Sequence, residues 1–235
     1  MKRFVIVQCA IILTALIIGM CNRLSFKDAG IMDVRNVQDL DKLDCNISEM
    51  FTDDMYDEWS SDDFQNERIE LCKNAENVII VEPLDELRCY GMNMLQKVQV
   101  KECIKGNIEK DSIIWINKSG GPSRESVPHE YDNNALVYIL NFSDVMRTDM
   151  EYIAMLNSEQ TIAEYLDIPI YNGTDSIFTY FAINNKNIPV EKDIEDIKLS
   201  ELKNCDIFAH SQKTLDCIEQ IKHEVLTEYG IEPIY

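Results

Sequence analysis

Basic residues are scarce in this chain. It has 22 Lys and Arg against 42 Asp and Glu, giving a formal charge of −20 at neutral pH over 235 residues. Nucleic-acid binding starts with Lys and Arg neutralising phosphates, so nucleic acid is not expected as a partner. Histidine is rarer still, with His129, His210 and His223 alone, and neither Cys-x-x-Cys nor any Cys/His spacing suited to zinc occurs. The Gly-rich stretch Ser119-Gly120-Gly121-Pro122-Ser123 lacks the Gly-Lys-Ser/Thr ending that sets a lysine on phosphates, and reads as a turn. No cofactor is implied. Beyond residue 20 no further apolar run of membrane-crossing length follows, so the remainder is expected to be soluble.

What stands before residue 20 is that one run. Lys2 and Arg3 precede residues 4–20, in which Gln8 is the only strongly polar side chain. A charged start followed by an apolar stretch is an export signal, and cytoplasmic Lys2 and Arg3 place the rest of the chain on the far side. The run is long for a cleaved signal and slightly short for a spanning helix, so residues 1–21 read as either a signal peptide or a membrane anchor. Gly19 and Cys21 are small enough for a cleavage site without forming a clean small-x-small pattern; lipidation at Cys21 would need a small residue where Met20 stands. With 20 of the 22 basic residues and all 42 acidic ones beyond Met20, the exported part carries −22. That charge repels anionic lipid and favours solubility or a cationic partner.

Of eight cysteines, Cys9 lies in the apolar run and Cys21 at its end, leaving Cys45, Cys72, Cys89, Cys103, Cys205 and Cys217. Six cysteines in an exported domain permit up to three disulfides; they serve equally as small buried apolar residues.

Residues 24–50 are mixed and polar and read as irregular. Asp53, Asp54, Asp57, Glu58, Asp62 and Asp63 then cluster, and Ser60 with Asp63 reads as a capping box for a helix over 61–75 whose apolar positions are Phe64, Leu71, Cys72 and Ala75. A short apolar run at 78–82 precedes a long alternating strand. Met92, Met94, Val98, Val100 and Ile104 share one of its faces; Lys97, Gln99 and Lys101 share the other. Gly106-Asn107 turns the chain into a strand at 112–117. A loop at 118–128 follows, then strands at 136–142 and 177–183, with 152–156 ambiguous. The last helix spans 211–229, with Ser211 as its cap, Gly230 as its stop, and Leu215, Ile218, Val225, Leu226, Tyr229 and the stem of Lys222 on one face. Five or six strands without intervening helices make an α+β fold: a small antiparallel OB-like β-barrel or curled sheet with flanking helices. The division expected is an N-terminal segment at 1–21, an irregular lead and helix at 22–75, a β-rich domain at 76–183, and a helical extension packed on it at 184–235.

The hairpin Val98-Gln99-Val100-Lys101-Glu102-Cys103-Ile104-Lys105-Gly106, followed by the strand Ser112-Ile113-Ile114-Trp115-Ile116, resembles that of uncharacterised exported or membrane-anchored proteins of Gram-positive bacteria. More distantly it is similar to the hairpin of netrin-like and tissue-inhibitor-like modules, which are OB-type barrels that bind proteins. The resemblance spans residues 77–142 and the last helix. It implies an OB-like barrel and a protein-binding role; the disulfide-tied N-terminal cysteine of the netrin-like family is not matched, and no functional residue carries over.

Two chemistries can be placed on named residues. A thiol hydrolase would pair Cys103 with His129, because a nucleophilic cysteine needs an adjacent base. A calcium site would draw on Asp53, Asp54 and Asp57, although their spacing is not that of a calcium-binding loop and a capped helix start accounts for them. The function expected is therefore an extracytoplasmic domain that binds a protein or peptide, a cationic one by charge, with the hydrolase and a structural envelope protein as alternatives. It would be anchored on the membrane through its N-terminal segment or secreted.

Overall fold

Alternation of apolar and polar side chains sets up the sheet, and its loss marks where both faces are covered. The computed structural model describes residues 34–43, 45–90, 93–124, 136–140, 142–160, 168–202 and 205–232. These all belong to one compact unit, Asp33–Tyr235. The N-terminal segment, Met92 and His129 lie outside the described residues. No described helix is long and apolar enough to cross a membrane. In chain order the elements are α1 (Val37–Asp41), β1 (Asn46–Ile47), α2 (Tyr56–Trp59), α3 (Asp62–Lys73), β2 (Asn77–Tyr90), β3 (Asn93–Lys105), β4 (Ile113–Arg124), β5 (Leu136–Leu140), β6 (Tyr152–Gln160), β7 (Ile170–Gly173), β8 (Tyr180–Ala182) and α4 (Gln212–Glu228).

Five strands close into a barrel. The pairs β2–β3, β3–β4, β7–β6 and β6–β2 are antiparallel, and β4–β7 is parallel. A ring of five strands cannot alternate in direction all the way round, so one neighbouring pair must be parallel. An all-antiparallel closure was therefore not open to this chain. Inside the barrel pack Ile79, Val81, Val98, Val100, Ile114, Ile116, Tyr152, Ala154 and Leu156 from β2, β3, β4 and β6, with Tyr171 from β7.

One end of the barrel splays. Beyond Ser119, the last β4 residue paired with β3, the strand continues to Arg124 and pairs with β5, which pairs in parallel with β1. The stretch expected as a Gly- and Pro-rich loop is thus strand as far as Arg124. Pro122 is tolerated because β3 no longer flanks it, so its missing N–H opens no gap in a two-sided ladder.

A second core lies on the outside of the barrel. Val78, Ile153 and Met155 project outward from β2 and β6 against Ile69 and Cys72 of α3 and Leu215, Ile218, Ile221, Val225 and Leu226 of α4, with Phe51, Trp59, Phe178 and Phe181 filling the layer. The first five residues of β6 are buried without alternation, which is why the run at 152–156 is ambiguous in sequence.

Both main helices begin at a serine. Ser61, rather than Ser60, caps α3 by accepting from the Phe64 N–H at 3.2 Å, and the inward positions are Ile69 and Cys72 rather than Leu71. Ser211 caps α4 by accepting from the Thr214 N–H at 3.2 Å, and Gly230 at φ 71° follows its end. Burial on α4 extends to the head of Lys222 and not only its stem: Nζ lies 3.3 Å from Asp206 Oδ2 and donates to the Asn185 carbonyl at 3.3 Å. The lead segment is not all loop. It holds α1, capped by the Asn36 side chain and anchored by buried Val37 and Leu40, together with β1. No disulfide joins the six described cysteines to one another; Cys45, Cys72 and Cys205 fill core positions.

Candidate binding surface

The acidic segment that precedes α3 folds across the start of α4. Asp53 accepts from the hydroxyls of Ser211 and Thr214, the latter at 2.6 Å, and its other oxygen stands 3.1 Å from His210 Nδ1. The Ser211 and Thr214 hydroxyls, aided by His210, hold its carboxyl down at about 2. Asp53 is thus an accessory cap of α4, a role that contacts across more than 150 residues of chain hide from sequence reading. Asp54 is exposed beside it, and exposed Asp57 lies in the first turn of α2, where a carboxylate suits the helix dipole. Among the described residues no three His, Cys, Asp or Glu side chains converge at metal-binding spacing.

Around Asp53 opens a cleft of about 550 Å³, lined by Met50, Thr52, Asp53, Asp54, Asp193, Ile194 and His210. Three separate chain segments meet there. Strand-like bonds hold them together: the Phe51 N–H donates to the Phe208 carbonyl at 2.9 Å, the His210 N–H to the Phe51 carbonyl at 2.8 Å, and the Glu191 N–H to the His210 carbonyl at 3.0 Å. Three carboxylates over a floor containing Met50 and Ile194 can receive an alkyl chain ending in a cation. Asp193 and His210 could not have been placed at this cleft from sequence, since no local pattern joins them to residue 53.

Cys103 lies near the end of β3, half-buried, with Sγ donating to the Lys105 carbonyl at 3.4 Å. Its proposed partner His129 is outside the described residues. Elsewhere burial pushes thiols up: Cys89 to about 11, and Cys72, Cys205 and Cys217 in the same direction. A nucleophilic thiol needs the opposite shift.

The splayed end of the barrel is filled by a buried polar network. Lys118 continues the inward set of Ile114 and Ile116, and Nζ donates to the Ser143 and Asp144 carbonyls. The Tyr180 hydroxyl donates to the same Asp144 carbonyl at 2.7 Å. Arg147 donates to the Asp144 carboxylate through Nε at 2.8 Å and to Asp41 of α1 through Nη1 at 2.8 Å. Gln96, inward on β3 between Met94 and Val98, both donates to and accepts from the Met146 backbone, at 2.6 and 2.9 Å. Burial drives the Lys118 amine down to about 7, against the upward pull of Asp144 and Asp206, and lifts the Asp144 carboxyl despite Arg147. The network ties β3, β4 and β8 to the segment 143–147 and, through Asp41, to α1. The chain matches no known protein family, and no curated protein matches it significantly.

Proposed function

We propose that this chain is an extracytoplasmic binding domain, delivered or anchored by its N-terminal segment, in which an acidic cleft built from segments flanking the OB-like barrel receives a basic segment of another protein. The observation that carries the reading is the cleft itself, where neighbouring Asp53 and Asp54 meet Asp193 from a distant part of the chain beside Met50 and Ile194. The OB-like assignment is supported by five strands in the order β2-β3-β4-β7-β6. OB barrels also bind oligonucleotides, and an exported part carrying −22 disfavours that use of the scaffold. The export reading rests on the pattern of residues 1–20.

The reading is tested by titrating the described domain with a Gly-Lys-Gly-Lys-Gly peptide and with the same peptide acetylated on both lysines. Binding should require the charge and weaken as salt rises, and Asp54→Asn with Asp193→Asn should reduce affinity about tenfold. Equal binding of the acetylated peptide, or an unaffected double variant, would remove the cleft as the site. Asp53 is spared in this test because it also caps α4.

A further inference from the structure

A groove of about 600 Å³ runs between α3 and α4, and Tyr56, Asp62, Lys213, Asp216 and Glu224 are among the residues that line it. Asp216 and Glu224 lie eight residues apart on α4, about two helical turns, and so point to the same side of the helix. Asp62 lines the same groove from the first turn of α3. Within this groove an ammonium already sits on an aromatic ring: Lys213 Nζ is 3.4 Å from the centroid of Tyr56. An aromatic face in a groove lined by carboxylates is chemistry that receives an alkylammonium ion.

We propose that the groove between α3 and α4 is a subsite for a lysine side chain of the basic partner, and that Lys213 occupies it in the free protein as an internal competitor. The inference rests on the reading of the chain as a binder of basic segments and names a second point of contact. Its support is the seated ammonium, which shows what the Tyr56 ring accommodates, together with the carboxylates that line the same groove. Lys213 is exposed and reaches the ring from the first turn of α4, so it can swing away without disturbing the buried face of the helix. A partner lysine that displaces it keeps the cation on Tyr56 and returns Lys213 to water. The competition is therefore mild and sets affinity rather than forbidding binding.

Removing the competitor should tighten binding. With the Gly-Lys-Gly-Lys-Gly peptide followed by calorimetry, Lys213→Gln is expected to bind about threefold to fivefold more tightly than the wild-type chain, the range an exposed cation–π contact sets. Tyr56→Leu in the Lys213→Gln background should abolish that gain while the thermal melt stays cooperative. Chemical-shift changes on adding peptide should include the Asp216 and Glu224 amides. If Lys213→Gln leaves affinity unchanged while the cleft variants still weaken it, the groove is not a subsite and the cleft reading survives. If the peptide binds neither the wild-type chain nor Lys213→Gln, both fail.

Discussion

Lys118 shows how far one side chain can depart from its sequence context. It stands in a stretch rich in Gly, Ser and Pro, yet its amine is enclosed at the barrel end, donating to two carbonyls and facing the Tyr180 ring at 5.5 Å. Burial lowers its folded value to about 7, against an unfolded value of about 10.4. Between those values the unfolded chain holds a proton that the folded chain does not. Stability contributed by this site is therefore present above pH 10.4, is lost as pH falls toward 7, and is constant below. Lys118→Met removes the titration and leaves the Ser143 and Asp144 carbonyls without this donor. The expected outcome in urea unfolding is that the variant is more costly at pH 10 than at pH 7, with the difference between the two proteins changing by up to about 4 kcal/mol. A difference independent of pH would mean that Asp144 and Asp206 keep the amine charged throughout.

At the scale of elements, α4 is tied to the barrel by charge as well as by its apolar face. Lys222 and Asp206 are both buried, and Asp206 also accepts from the Ala182 N–H of β8 at 2.9 Å and from Asn185 Nδ2 at 2.9 Å. Lys222→Met leaves that carboxylate enclosed without its cation and should cost roughly 3–5 kcal/mol in urea unfolding at pH 7. Adding Asp206→Asn should recover part of the loss; no recovery would show that the lysine acts by packing alone. The helix itself was legible from its period, its serine cap and Gly230, as was the alternation of β3, because local patterns encode both. The ionic tie was not, since nothing around Lys222 distinguishes a snorkelling stem from a buried head until Asp206 arrives from sixteen residues upstream. The same holds for the cleft: its carboxylates stood out as a cluster around residue 53, whereas Asp193 and His210 join them only through the backbone bonds at Phe51 and Glu191. Strand β7 is only four residues long, too short for its period to stand out, and its pairing with β4 and β6 is what closes the barrel.

Across the whole molecule the excess of 20 negative charges acts on the folded state as self-repulsion. Exposed pairs such as Lys101 with Glu82 and Arg88 with Glu86 offset little of it, because water and side-chain entropy leave such contacts worth about 0–1 kcal/mol. Salt screens repulsion among exposed carboxylates over about 10 Å at 0.1 M, but barely reaches the enclosed Arg147–Asp144 and Lys222–Asp206 pairs. Raising sodium chloride from 20 mM to 500 mM at pH 7 should therefore raise the Tm by several degrees, the reverse of what a fold held by surface ion pairs would show. A fall in Tm would mean that the exposed pairs outweigh the net repulsion. The same argument links stability to binding. A basic segment seated on the acidic cleft relieves the repulsion that salt relieves, so the increase in Tm from a lysine peptide should be largest in 20 mM salt and shrink as salt rises. A peptide effect that persists undiminished at 500 mM would point instead to apolar contacts with Met50 and Ile194 as the source of affinity.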